Sequence, residues 1–348
     1  MKALIEDFAA SIRKAAETRA PIRVRGGGSK DFYGGLLAGS ILDASAYSGI
    51  VDYEPSELVL TARCGTRLSE IENILREHEQ MLAFEPPHFS PDATLGGCIA
   101  AGLSGPRRAQ SGAVRDFILG VRVLNGQGED LRFGGRVIKN VAGYDVSRLM
   151  AGALGTLGVL TEISLKVLPR PAEEISLRLE MGVAQALETM NRWAGKPYPI
   201  SATCHMDGAL YARMSGAKVS GAKLGGEILD NAEAFWYDLR EHKLPFFARD
   251  KPLWRLSVKP TSPSLDLAQA QLIEWNGALR WSSHDLDHRE AREMAANAGG
   301  HATLFRGGDK ARGVFHPLPA PMLALHQRLK KAFDPAGILN PGRLYAEL

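Results

Sequence analysis

Two glycine-rich loops constrain this 348-residue chain more than any other feature. The first, Arg25-Gly26-Gly27-Gly28-Ser29-Lys30, follows a short alternating segment, Pro21–Arg25, that reads as a strand. Three consecutive glycines permit positive φ and leave no Cβ to block close approach. Successive main-chain N–H groups can then converge on an anion, aided by the Ser29 hydroxyl and the Lys30 charge. The same pattern also serves an ordinary tight turn. The second loop runs from Pro91 to Pro106 as PDATLGGCIAAGLSGP. Its glycines and alanines surround a few apolar anchors, which suits a backbone lying along a large flat ligand, or a small-residue packing interface between strands. A later Gly155-Thr156-Leu157-Gly158-Val159 run precedes a strand. The three together favour a flavin nucleotide over a set of unrelated turns.

Other nucleotide devices are missing from the sequence. No G-x-G-x-x-G follows a strand, and there is neither a G-x-x-x-x-G-K-[ST] loop nor a G-x-S-x-G elbow. A formal charge of +3 with no run of like charges argues against nucleic acid as a partner. The three cysteines, Cys64, Cys98 and Cys204, are far apart and form no C-x-x-C pair. They point to a reducing compartment and to no iron–sulfur cluster held by this chain alone. The N-terminal segment has apolar residues at helical spacing, Leu4, Ile5, Phe8 and Ile12, and lacks the pattern of a signal peptide. No apolar run reaches the roughly 18 residues of a membrane span. A cytoplasmic protein is expected, with any membrane association coming through its partners.

The length favours two domains. Strands are expected at Gly49–Tyr53 and Glu57–Arg63, a helix at Leu68–Glu77, and an ordered loop over 86–112. A hairpin is expected from Val121–Leu124 and Asp130–Phe133 around Asn125-Gly126, followed by a strand at Gly158–Leu168. Pro169-Arg170-Pro171 marks a boundary. Beyond it, strands at Glu174–Met181, Ala209–Met214, Leu253–Val258, Ala278–Ser282 and His301–Arg306 alternate with helices at Ala184–Trp193, Lys223–Arg240 and Asp287–Asn297. This is an α+β layer with helices on one face of a sheet. A last helix near Pro321–Phe333 leads into DPAGILNPGR.

The order RGGGSK, PDATLGGCIAAGLSG, KNVAGYDVSRLMAGALGTLGVLTEISLKVLP and FDPAGILNPGRLY resembles the PCMH-type (vanillyl-alcohol-oxidase-like) FAD-binding flavoproteins. Within them the chain is most similar to the branch holding bacterial glycolate and D-lactate dehydrogenases. The resemblance is dense over residues 20–170 and good over 332–345. It implies a two-subdomain FAD-binding domain at 1–170, an α+β cap with an antiparallel sheet at 171–318, and a C-terminal helix and tail, 319–348, returning to the first domain. It further implies that Gly26, Gly27, Gly28, Ser29 and Lys30 wrap the FAD pyrophosphate. Pro91, Thr94, Gly96, Gly97, Gly102, Ser104 and Gly105 line the second flavin loop, Gly158 and Val159 sit by the adenosine or the ring-side backbone, and Asn340 returns to the flavin. The implied role is that of an FAD-binding subunit in a complex that oxidises glycolate to glyoxylate. Its implied partners are a larger flavin-bearing subunit and an iron–sulfur subunit that carries the electrons away.

Departures from the family pattern narrow this. Covalent members carry a His in the first loop where this chain has Ser29-Lys30, so FAD is expected to be non-covalent. The His-rich metal motif of the hydroxy-acid dehydrogenases is absent, and Leu154 stands where the GSEGTLG run has Glu. Both argue against independent substrate oxidation, and no catalytic residue is assigned. A self-sufficient 2-hydroxy-acid dehydrogenase and a non-catalytic scaffold retaining the fold remain the alternatives.

His284 and His288 at i,i+4 spacing fit a helix start, with Asp285 and Asp287 as caps, better than a metal site. His205 and His301 are open to a proton-accepting role but fit hydrogen-bonded strand positions better. Arg107-Arg108 suit either flavin phosphates, a partner's acids or a solvated surface. Cys98 has no charge partner to make it reactive. Phe235-Trp236-Tyr237 cannot share one helix face, so at least one must point outward.

Overall fold

The structure, a computed structural model, describes residues 1–135, 145–221, 224–248, 250–267 and 271–348. Helix α1 (Lys2–Thr18) buries a stripe of Ile5, Phe8, Ile12 and Ala15. It ends where Arg19 turns left-handed and returns its N–H to Ala15 and Ala16. Strand β1 (Ile22–Arg25) pairs in parallel with β2 (Ser40–Asp43), and Leu339 from the far end of the chain bridges to Ile22.

The elements that follow are β3 (Ile50–Glu54), β4 (Val59–Arg63), α2 (Leu68–Glu77), β5 (Gln80–Met81), α3 (Leu95–Ala101), α4 (Arg108–Ser111), β6 (Ile118–Leu124), β7 (Asp130–Gly134), α5 (Val146–Leu149), β8 (Val159–Lys166) and β9 (Leu168–Pro169). Strands β3-β4-β8-β6-β7, in that order, form an antiparallel sheet, and β5 pairs with β9. One continuous core collects α1, α2, α3 and this sheet, together with Ile338 and Leu339.

The helix over Leu68–Glu77 and the hairpin form as expected. The expected strand at Glu57–Arg63 starts only at Val59, because Pro55–Glu57 makes a 3-10 turn and Leu58 takes φ 57°. The stretch 86–112, expected as a loop, contains α3 and α4. Its glycines lower helix propensity and hid the spacing of Leu95, Cys98 and Ile99, while Thr94 caps α3 by accepting from Gly97 N–H.

The second half holds β10 (Glu173–Glu180), α6 (Val183–Ala194), β11 (Ile200–Met206), β12 (Ala209–Gly216), β13 (Glu227–Ile228), α7 (Ala232–Arg240), β14 (Leu253–Ser257), β15 (Gln271–Glu274), β16 (Leu279–Ser282), α8 (His288–Asn297), β17 (His301–Arg306) and α9 (Ala320–Phe333). All eight strands join one antiparallel sheet in the order β13-β10-β12-β11-β15-β16-β14-β17. This is an α+β fold.

Helices α6 and α8 cover one face of that sheet. The expectation of helices on one face alone is corrected by α7, whose Trp236 and Leu239 pack on the other face. That second face also meets Tyr33, Ala101, Leu103 and Leu154 of the first half. The expected helix Lys223–Arg240 shrinks to α7, with β13 in its first part; residues 222–223 lie outside the described residues. Strand β11 escaped notice because all seven of its residues are buried, which erases the alternation.

Helix α9 returns to the first core through Phe333, which packs against it, and through Lys330. Lys330 Nζ donates to Thr156 O (2.8 Å), Leu339 O (2.7 Å) and Asp334 Oδ2 (2.7 Å), which satisfies its three N–H groups.

Candidate functional site

Strand β1 delivers the chain into Gly26–Lys30, and α3 begins immediately beside it. A β-carbon on Gly26 would overlap Thr94 Oγ1, and one on Gly27 would overlap the Asp92 carbonyl. The two glycine-rich loops are therefore in direct contact, as a shared ligand requires. Glycine is also needed at Gly96, where a β-carbon would sit 2.8 Å from Cys64 Cβ, and at Gly102, whose left-handed turn (φ 67°) ends α3 against Gly152.

These loops form one wall of a cleft of about 530 Å³, open at its mouth. Six of the residues expected at the site line it: Gly26, Thr94, Gly96, Gly97, Gly158 and Asn340. The sequence reading missed Val24, Ala44, Cys64, Met150, Ala153 and Gly155, which also line it. Gly155 lay within the quoted GTLG run; the others are ordinary apolar residues whose position only the fold reveals.

Main-chain donors are available there. Among the described residues, the amides of Gly26, Gly27, Gly28, Ser29 and Lys30 donate to no protein acceptor. By contrast, the first amides of α3 are used internally, Leu95 N–H on Thr66 O and Gly96 N–H on Cys64 O. An unsatisfied run of N–H groups beside a cradle too tight for any side chain fits a diphosphate.

Asn340 locks the C-terminal tail to this cleft. Its Oδ1 accepts from Val24 N–H (2.8 Å), and its Nδ2 donates to Leu154 O (2.6 Å). Leu154 itself adopts φ 51°, lines the cleft, and packs on its other side into the cluster between the two halves. The position where the family pattern has Glu is thus a hydrophobic partition.

Several expected residues stand elsewhere. Lys30 turns away from the cleft lining; its Nζ donates to His88 O (3.2 Å) and lies 5.6 Å from the Phe89 ring centroid. Burial pulls its pKa down, against weaker opposing effects from Cys98 and Glu241. Ser29 Oγ accepts from Lys30 Nζ. Pro91 is exposed, at the outer end of its loop. Ser104 Oγ accepts from Val114 N–H, and Gly105 N–H donates to Phe84 O. Val159 is wholly buried opposite Leu124 in the sheet, so its side chain serves the core. The segment 139–144 of the third quoted motif lies outside the described residues.

The other residues weighed also find places. Arg107 is buried and paired with Glu85 and Glu174, neither on a phosphate nor in solvent. Glu85 also binds Arg213 (2.7 Å), so this network ties the first half to the second sheet. His205 faces away from the first half, with Nε2 on Met181 O. Asp287 caps α8 by accepting from Arg289 N–H. Burial pushes the Cys98 thiol up to about 12, outweighing the attraction of Lys30, which leaves it inert. Trp236 is buried and donates to Ser176 Oγ, Phe235 stacks on Tyr211, and Tyr237 is exposed.

Comparison with known proteins decides the family. A family described as "FAD binding domain" matches residues 3–134, and "FAD linked oxidases, C-terminal domain" matches residues 315–344. Glycolate oxidase subunit GlcE of Escherichia coli (strain K12) is 49% identical over 340 residues, covering 97% of this chain and 96% of the relative. The chain belongs to the GlcE family of glycolate oxidase subunits. It is an FAD-binding member of the FAD-linked oxidoreductases.

Glycolate oxidase subunit GlcD of Bacillus subtilis (strain 168) is 32% identical over 182 residues, 51% of this chain and 38% of the relative. D-lactate dehydrogenase of Anaerostipes hadrus is 30% identical over 178 residues, 49% and 36% respectively. Both similarities stop near half of the chain. Among solved structures, alkyldihydroxyacetonephosphate synthase superposes with a TM-score of 0.65 at 16% identity, over 97% of this chain and 76% of that one; the likeness concerns the fold. Among the described residues, no helix is long and apolar enough to cross a membrane.

Proposed function

We propose that this chain is the FAD-binding subunit of a glycolate-oxidising complex. The complex converts glycolate to glyoxylate, and the electrons leave through flavin and a partner iron–sulfur subunit. A larger flavin-bearing subunit related to GlcD completes it. The observation that carries this reading is the contact between the two glycine-rich loops beside five unsatisfied amides, in a chain that matches a glycolate oxidase subunit along nearly its whole length.

In this reading the Gly26–Lys30 amides hold the diphosphate, and Thr94, Gly96 and Gly97 keep the second loop flat against the same ligand. Gly158 leaves room along the strand edge. Asn340 fixes the first loop by clamping Val24. FAD, when bound, supplies the two-electron acceptor; the chain supplies grip, exclusion of water and orientation. With Ser29-Lys30 in the first loop, the attachment is non-covalent. The division at 1–170, 171–318 and 319–348 belongs to the same reading, supported by a first core that ends at Val167 and resumes at Ile338.

The test is to express the chain alone and together with its two partner subunits. The reading expects a yellow chain whose flavin is released by acid, and glycolate-dependent dye reduction only in the assembled complex. A colourless chain that takes up no FAD, or one that fails to assemble with the partners, overturns it.

A further inference from the structure

Two guanidinium groups at the junction of the two halves lie over one indole ring. Arg255 projects from β14 into a cavity of about 340 Å³, bounded by Ser104 and Gly105 of the second glycine loop and by Glu274, Trp275, Trp281 and Phe305 of the cap sheet. Its guanidinium lies 5.2 Å from the centroid of the Trp275 ring, and that of Arg108 lies 4.3 Å from the same ring. Among the described residues neither guanidinium forms a hydrogen bond or an ion pair. Burial, and after it the Arg255 charge, makes the Arg108 charge harder to keep.

The carboxyl lining this cavity, Glu274, accepts from Trp281 Nε1 (2.8 Å) instead of pairing with Arg255. Elsewhere in this interface arginines are fully paired, as Arg107 and Arg213 are with Glu85 and Glu174. An indole face compensates only part of a desolvated charge. The remainder is an anion-binding capacity set beside the loop that also serves the nucleotide cleft.

We propose that this cavity binds the carboxylate of a small organic acid, with Arg255 gripping it and Arg108 reinforcing the positive field over the same indole. The proposal rests on the function proposed above and narrows where a 2-hydroxy acid would meet this subunit. The planar guanidinium suits bidentate pairing with a carboxylate. Trp275, Trp281 and Phe305 give the cavity apolar walls, beside which a guanidinium–carboxylate pair is stronger than in bulk water.

The test is anaerobic calorimetric titration of the FAD-loaded chain with glycolate, and separately with inorganic phosphate. The wild type is expected to bind glycolate, with affinity falling at least tenfold in Arg255→Met, less in Arg108→Met, and partly restored in Arg255→Lys. FAD content should be unchanged in all three. If the flavin-loaded wild type shows no glycolate heat up to about 50 mM, a millimolar site is excluded and the proposal fails. It fails equally if Arg255→Met binds like wild type, or if phosphate binds as tightly as glycolate. Should Arg255→Met not fold, Arg255→Lys and Arg108→Met carry the comparison, and unchanged affinity in both overturns the site. A chain that takes up no FAD overturns the underlying function instead.

Discussion

Gly27 lies so close to the carbonyl of Asp92 that no side chain can stand between the two glycine-rich loops. This contact belongs to packing and to function at once, because it aligns the free amides of the first loop with the start of α3. Gly27→Ala must push the loops apart. It should cost about 1–3 kcal/mol of stability, as overpacking does, and should strip the flavin. Gly182→Ala, where a β-carbon meets nothing within 4 Å, should leave flavin content unchanged and cost only the fraction of a kcal/mol of a poorer N-cap on α6. Flavin-to-protein absorbance ratios and thermal melts of the two variants check this; a Gly27→Ala protein with full flavin content would refute the contact's role.

Asn340 makes two bonds with its side-chain amide, accepting from the part-buried Val24 N–H and donating to the buried Leu154 carbonyl. Asn340→Ala leaves a main-chain donor and a main-chain acceptor unsatisfied, a cost of about 1–3 kcal/mol for each buried group. Asn340→Asp keeps the acceptor for Val24 but sets a carboxylate oxygen against the Leu154 carbonyl, so it should not rescue the loss. Both variants are expected to melt below wild type, with flavin affinity falling in parallel. An Ala variant as stable as wild type would show that the tail is held by Lys330 and the core alone.

Glu85 stands between Arg107 and Arg213, whose side chains are each 8% exposed. Removing the carboxylate in Glu85→Ala strands two buried cations with only Glu174 to share. The loss should be about 3–5 kcal/mol, as for breaking a buried pair. Because the network joins the first half to the cap sheet, the expected signature is earlier unfolding together with easier proteolysis at the Pro169–Pro171 junction. Limited digestion followed by mass analysis reads this directly.

The sequence exposed those parts of the site that depend on residue type alone. Three adjacent glycines, a Gly-Gly pair after Thr94 and a tail ending Asn340-Pro341-Gly342 have few structural uses, so their convergence could be read before any coordinates. Ser104, Gly105 and Val159 do not line the cleft that Gly26 and Asn340 line, because a loop and a strand each present only some positions to one cleft, and which ones is set by pleat and turn geometry. Strand β11 and helix α3 were invisible for opposite reasons: the first is buried on both faces, and the second is rich in glycine. The anion cavity could not have been found at all. Arg108 and Arg255 are 147 positions apart (255 − 108), and nothing local to either announces that they share one indole ring.

Glu274 gives the interface a pH dependence whose sign is fixed. Burial pushes its carboxyl up to about 7, partly offset by the Trp281 hydrogen bond and by Arg255. The folded protein therefore holds this proton more tightly than the unfolded chain, where the group titrates near 4.5. The stabilisation is fully present below about pH 4.5 and is lost as the pH rises through about 7, a change of roughly 3 kcal/mol at 1.36 kcal/mol per pKa unit. Glu274→Gln keeps an acceptor for Trp281 but cannot ionise. Its stability relative to wild type should therefore rise steadily between pH 5 and pH 7 and level off above. Urea denaturation of both proteins at pH 5, 6, 7 and 8 measures that difference, and a difference that stays flat across the series would mean that Glu274 is ionised throughout and that Arg255 is already neutralised by it.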